Sequence, residues 1–257
     1  MPARRGGTPR GTFRVGCSGY EYDDWAGSFY PDGLARRDRL AHYASRFDTL
    51  ELNATFYRLP TVATAERWRA RVPADFCFAV KCSGFGTHRK HLRDPEVWFP
   101  GFVERIRNLG PALGPVLVQL PPNWHADPGR LHAFLAVAPE DLRVAIEVRD
   151  PTWFVDEVYA VLADHDAALV QHDLLPDHPR VSTASWGYLR FHGPDRRHPY
   201  VGSYPGQALA AAARRIDVLL RGGRDVYAYF NNDTGGAAPV DAERLRRFVA
   251  GREDGRR

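Results

Sequence analysis

Eight short runs rich in β-branched and aromatic residues recur along the chain, and longer stretches of helical period separate them. The runs are 13–18 (FRVGCS), 48–53 (DTLELN), 76–81 (FCFAVK), 115–120 (PVLVQL), 143–149 (RVAIEVR), 167–173 (AALVQHD), 187–192 (GYLRFH) and 225–231 (DVYAYFN). Connections of that length imply crossovers and hence parallel strands, and eight is the number that closes a barrel. The 257 residues match the usual size of such a fold. A doubly wound open sheet is the rival, but it has fewer strands as a rule, and no G-x-G-x-x-G follows the first run. The reading is therefore α/β, a single (β/α)8 TIM-type barrel over 13–250, flanked by disordered basic tails at 1–12 and 251–257. Helices are expected near 36–46, 63–70, 99–109, 129–137, 153–163, 205–221 and 239–250. The Pro-rich link 174–186 has room for only a short one.

Side-chain parity within the runs separates two faces. Leu50 and Leu52 oppose Thr49, Glu51 and Asn53. Phe76, Phe78 and Val80 oppose Cys77, Ala79 and Lys81. Val144, Ile146 and Val148 oppose Ala145, Glu147 and Arg149. Leu189 and Phe191 oppose Tyr188, Arg190 and His192. The large apolar set should face the helices. The other set should line the barrel axis and turn polar at the C-terminal strand ends, where barrel active sites lie. Ser18, Glu51, Asn53, Lys81, Gln119, Glu147, Arg149, Arg190, His192 and Asn231 form that constellation. The alternative is a self-satisfied network, with Glu51 paired to Arg190 and Glu147 to Arg149, because buried charges are costly unless paired.

The formal net charge of +4 comes from the termini. Arg4, Arg5 and Arg10 face no acid within 1–11, and Arg252, Arg256 and Arg257 outnumber Glu253 and Asp254. A basic chain suggests nucleic acid, but here the body is neutral, so weak single-strand binding is the most this charge supports. The odd set Cys17, Cys77 and Cys82 has no C-x-x-C spacing and fits a reduced compartment. The N-terminus lacks the apolar stretch of a signal peptide, and no run approaches the roughly 18 residues of a membrane helix. We read a cytoplasmic protein with no membrane partner; the oligomeric state is open.

VGCSGYEYDDW (15–25), ELNATFYRLP (51–60), FAVKCSGFGTH (78–88), LVQLPPNW (117–124), IEVRDPTW (146–153), YLRFHG (188–193) and YFNND (229–233), in this order, resemble the domain-of-unknown-function 72 family, also called YecE-like. The resemblance spans about 13–249. It implies a (β/α)8 barrel and a bacterial or archaeal cytosolic protein, and it implies no reaction. Cys17 stands where the family often has Thr, and Tyr20 where it often has Trp.

Several features bear on chemistry. Of the 35 Lys and Arg residues only Lys81 and Lys90 are lysine. A lysine on the axis of an arginine-rich chain suggests ammonium chemistry, since lysine can lose its proton and arginine cannot. Its bland role is an ion-pair partner for Glu51. Paired carboxylates, Glu51 and Glu147, can divide acid and base roles, although three surrounding cations argue against a glycosidase pair. His88, His172 and His192, with Glu51, Glu147 and Asp173, are candidate ligands for a divalent metal, but no compact ligand motif is present, and no bound cofactor is expected. Loop aromatics such as Tyr20 and Tyr57 are candidates to stack on a ring. Asn231 and Asn232 open the run NNDTGGAAP, whose glycines and following helix N-terminus suit an anion.

The leading expectation is a hydrolase or lyase acting on a small anionic ligand or phosphate ester. Arg149, Arg190 and Lys81 would hold the anion, Glu51 or Glu147 would act as base, and His192 as acid. Ser18, Tyr20, Asn53, Tyr57, His88, Gln119, Asp173, Asn231 and Asn232 would bind substrate. The rivals are a metal-dependent sugar isomerase or epimerase, and a nucleic-acid-binding module with an endonuclease-like barrel.

Overall fold

A computed structural model of the protein describes residues 9–253, with the side chain of Glu253 excepted. Arg4, Arg5, Arg256 and Arg257, read above as tail charges, lie outside the described residues. The strands are β1 (Phe13–Cys17), β2 (Thr49–Leu52), β3 (Cys77–Lys81), β4 (Leu113–Gln119), β5 (Val144–Glu147), β6 (Ala168–Leu169), β7 (Gln171–His172), β8 (Gly187–Phe191) and β9 (Val226–Phe230). All pair in parallel, in two ladders ordered β2-β3-β4-β5-β6 and β7-β8-β9-β1. The ladders meet twice. β6 and β7 are halves of one run, joined at Val170, whose N–H bonds the Ile146 carbonyl at 2.9 Å. Ser18 pairs with Glu51 just past β1, and the Gly19 N–H reaches the Glu51 carbonyl at 2.9 Å. Eight strand positions thus follow one another around a ring, and each expected run supplies one.

The helices are α1 (Arg39–Ala44), α2 (Ala54–Tyr57), α3 (Val62–Arg69), α4 (Pro95–Arg107), α5 (Pro128–Ala136), α6 (Asp156–Asp164), α7 (Gly206–Arg221) and α8 (Ala237–Glu253). Local chemistry sets their starts. The Thr61 hydroxyl accepts from the Thr64 N–H, and the Asp127 carboxylate accepts from the Arg130 N–H. Proline opens α4 and α5, where its missing N–H costs nothing. α4 begins four residues before the expected start because Pro95 initiates it. The one-turn α2 was not anticipated. Residues 173–186 contain no helix, contrary to expectation. Pro176 and Pro179 disfavour helical backbone before them, and Asp177 turns left-handed at φ 53°. None of the helices among the described residues is long and apolar enough to cross a membrane.

The two faces sort as parity demands. Leu50, Leu52, Phe78, Val80, Ile146, Val148, Leu189 and Phe191 belong to the core under the helices. Cys77, Ala79, Leu117, Ala145, Ala168, Tyr188, Tyr227 and Tyr229 fill the barrel interior. Alanines from one side of the ring make room for tyrosines from the other. The tyrosine hydroxyls find partners: Tyr229 meets the Thr49 hydroxyl at 2.7 Å, and Tyr188 donates to Glu51 at 2.6 Å.

The folded body extends outward past the expected limits of 13 and 250. The Gly11 N–H bonds the Leu220 carbonyl, Arg10 pairs with Asp217 at 3.0 Å, and Thr12 bonds Asp225 through both N–H and hydroxyl. At the other end α8 continues through Arg252. Residues 9–12 and 251–253 carry little apolar pattern, and Arg10 and Thr12 are held by acids more than 200 positions away, so no local pattern marks these ends as ordered.

Candidate functional site

The C-terminal strand ends form two polar layers. The lower is buried and centred on Arg190 of β8, which is 2% exposed. Its Nε donates to both Glu51 oxygens (3.2 and 3.0 Å), and its Nη2 to Glu51 Oε1 (2.7 Å) and Ser18 Oγ (2.9 Å). Its Nη1 donates to Glu147 Oε2 (2.7 Å) and His192 Nε2 (3.1 Å). Glu51 also accepts from the hydroxyls of Ser18 and Tyr188, and Glu147 from Arg149 Nε. Burial alone would raise the Glu147 carboxyl, but Arg149 and Arg190 outweigh it and hold the group well below the usual carboxylate range. Desolvation works against the Arg190 charge, and Glu147 and Glu51 overcome it. The guanidinium fork saturates its donors on protein, so Arg190 organises the site and has none to offer a ligand, contrary to the sequence expectation. The pairings Glu51–Arg190 and Glu147–Arg149 are those of the self-satisfied alternative.

The histidines are equally committed. Arg190 can only donate, so His192 Nε2 accepts, and the ring proton sits on Nδ1, facing Asp173 Oδ1 at 3.2 Å. Burial pushes the ring's pKa down, with Arg190 adding to the effect against the pull of Asp173. His192, expected as an acid, is a fully buried neutral ring with both nitrogens occupied. Asp173 is spent on the His192 N–H and ring and on the Tyr204 hydroxyl. His172 bonds the Val148 carbonyl through Nε2 (2.8 Å) and accepts the Leu174 N–H at Nδ1, and burial takes it down to about 4.

The upper layer is partly exposed: Lys81, Arg149, Gln119, Asn53, Asn231 and, beyond β9, Asp233. Gln119 stands in register with Glu147. Asn53 donates to the Ser18 carbonyl (3.2 Å) and hydroxyl (3.0 Å), while its buried Oδ1 has no partner. The Lys81 ammonium lies over the Phe56 ring at 4.7 Å, and Phe56 meets His88 edge-on at 4.9 Å. Burial, with Arg190 next in effect, lowers the Lys81 pKa to about 8. Asp233 goes the other way: burial raises it to about 8 against the pull of Tyr22 and Arg190, and its buried Oδ1 is unpartnered. Sequence reasoning missed Asp233. Its signal was the fifth position of YFNND, one step past Asn231 and Asn232.

Other expected residues lie elsewhere. Tyr20 turns away beyond Gly19 (φ 101°) and is half-buried against the outer core, with Trp68 and Arg71 of the α3 region as neighbours. Tyr57 stands at the rim, 86% exposed. The Asn232 amide donates to Asp241 (2.9 Å) and the Gly202 carbonyl (2.8 Å), so it ties β9 to α8. The glycine run after β9 does not hold out free N–H groups. Gly235 N–H points to the Asp24 carboxylate at 3.3 Å, Thr234 N–H bonds the Tyr200 carbonyl, and Gly236 N–H bonds the Asp233 carbonyl. Asp24 stands where an anion was expected.

A divalent metal fits these residues poorly. Guanidiniums take the oxygens of Glu51 and Glu147, and both nitrogens of His172 and of His192 are engaged. Among the described residues no three His, Cys, Asp or Glu gather into a metal-holding group. The isomerase reading therefore supplies no step.

Comparison with known proteins adds the following. The family model described as protein of unknown function DUF72 matches residues 14–256. The chain is 25% identical over 264 residues to the UPF0759 protein YunF of Bacillus subtilis (strain 168), covering 90% of this chain and 92% of that one. Its fold matches a DUF72 family protein from Thermotoga maritima MSB8 with a TM-score of 0.82 at 27% identity, over 93% of this chain and 99% of that one. A DUF72 family protein from Enterococcus faecalis V583 shares the fold at a TM-score of 0.75 and 20% identity, over 93% and 96%.

Proposed function

The chain belongs to the DUF72 family, whose description assigns no reaction, and from that premise we propose an enzyme that acts at its barrel mouth on a small anionic substrate. The substrate carries phosphate or carboxylate, and the step is a proton transfer of hydrolase or lyase type. One observation carries this reading. Lys81 ends a barrel strand on the axis, yet both buried carboxylates are already engaged by arginines, and the ammonium rests on the Phe56 ring. A cation so placed gains most from an anion brought in by a ligand.

In this reading Lys81 and the outer part of Arg149 hold the anion. A hollow of about 580 Å³ lined by Phe56, Tyr57, His88 and Trp98 gives room beside it for the rest of the molecule. Asp233 keeps a proton into the neutral range and donates it. In the fraction of molecules whose Lys81 is neutral, the anion rests on Arg149 and the Lys81 amine accepts a proton. Acid and base with pKa values near the working pH are what general catalysis needs. Arg190, Glu51, Glu147 and His192 are positioning residues that fix Ser18 and Arg149.

The test is a thermal-shift panel of small phosphate esters and carboxylates on the wild type and on Lys81→Met. A compound that raises the wild-type melting temperature and leaves Lys81→Met unmoved supports the reading. A panel in which every responding compound acts equally on both proteins overturns it. A second reading, a single strand of nucleic acid laid over the mouth, has Tyr57 and the 49% exposed Phe85 in its favour as stacking surfaces. A fluorescent oligonucleotide whose binding drops on Tyr57→Ala supports that reading, and unchanged binding dismisses it.

A further inference from the structure

Six of the seven passages from one strand position to the next carry an α-helix, and the one over residues 173–186 does not. The missing helix leaves a hollow of about 380 Å³ against β7 and β8, beneath α7. Besides Arg190 of β8, three arginines from three segments line it: the exposed Arg180 from the link, the exposed Arg196 from the loop after β8, and the half-buried Arg215 from α7. Elsewhere among the described residues many arginines pair with carboxylates, as in Arg46–Glu243, Arg107–Asp141 and Arg143–Asp225. Among the described residues these three have no carboxylate partner. Two residues of its wall carry a buried nitrogen without a hydrogen-bond partner, Arg215 Nε and His178 Nε2. Of the acids on its wall, Asp173 is spent on His192 and Tyr204, and Asp177 is exposed.

We propose that this hollow is a second anion site, separate from the barrel mouth, and that it takes a phosphate dianion, either free or as a small monoester. Burying a donor without an acceptor is costly, and holding like charges together is costly too; one dianion answers both. Burial and the neighbouring charges of Arg180 and Arg214 already push the Arg215 pKa down, a cost that a counter-ion would relieve. A planar carboxylate can meet two guanidiniums, as Glu147 meets Arg149 and Arg190, whereas a tetrahedral phosphate can present oxygens to three.

Calorimetric titration of inorganic phosphate into the full chain at low salt tests this. A binding component should appear in the wild type, persist in Lys81→Met, and weaken at least tenfold in both Arg215→Met and Arg180→Met. Without phosphate, Arg215→Met should melt no lower than the wild type, since it loses an uncompensated charge, and this controls for misfolding. Phenyl phosphate that competes for the component extends the site to monoesters, and failure to compete restricts it to free phosphate. The absence of any component, equal binding in both arginine variants, or loss in Lys81→Met alone overturns the proposal, the last by moving the phosphate to the mouth.

Discussion

Arg190 Nη1 donates to His192 Nε2 at 3.1 Å, and this bond fixes the imidazole as the Nδ1–H tautomer that faces Asp173. The arginine is thereby the junction of two chains of contacts. One runs through Glu51 to Ser18 and Asn53, the other through His192 to Asp173 and Tyr204. Rigid positioning of this kind is what a preorganised site requires, and its cost is three buried charges.

Replacing Arg190 by Met keeps the bulk and removes the junction. Glu51, fully buried, would lose its principal counter-charge, and Glu147, equally buried, would lose one of its two and keep Arg149. Breaking a buried pair from one side costs about 3–5 kcal/mol. For a chain of this size that lowers the melting temperature by roughly 10 °C. Adding Glu51→Gln to Arg190→Met should recover part of the loss. A melting temperature for Arg190→Met at or above that of the wild type would show the network to be dispensable.

Much of this was legible in the sequence. Parity alone put Glu51, Lys81, Glu147, Arg149, Arg190 and His192 on the axis, because a strand has only two faces and the large apolar residues claimed one of them. Which of them remain open to a ligand was not legible. Parity gives direction without depth, so Arg190 and Lys81 looked alike, although one is sealed beneath the other's layer. Asp24 filling the glycine turn and Asp217 holding Arg10 depend on partners about 200 residues away, beyond any local pattern. The empty slot beside β7 follows from Pro176 and Pro179: a short helix was expected over this link, and the prolines leave none.

Lys81 should make stability depend on alkaline pH. Its folded pKa of about 8 lies below the ordinary 10.5, so between those values the unfolded chain binds more protons than the native one. Stability then rises with pH across this window, as the penalty for a buried ammonium is relieved. Urea unfolding at pH 7 and pH 10 should show the wild type gaining on Lys81→Met. A difference between the two proteins that stays constant with pH would mean that the ammonium is not desolvated.

Asp233 should act in the opposite sense and at lower pH. Its carboxyl is raised from 3.8 to about 8 by burial, so between these values the native protein holds a proton that the unfolded chain has released. Where the folded state binds the extra proton, stability falls as pH rises. Below about pH 4 both states are protonated and the residue is neutral throughout, so Asp233→Asn, which keeps shape and polarity, should match the wild type there. From pH 4 upward the wild type should lose ground to Asp233→Asn, and the gap should level off above pH 8, once both states are ionised. Denaturant unfolding of the two proteins across pH 4–9 measures that gap. If the wild type is instead the more stable at pH 9, the carboxylate is held ionised by partners in the site, and Asp233 has no proton to give in the neutral range.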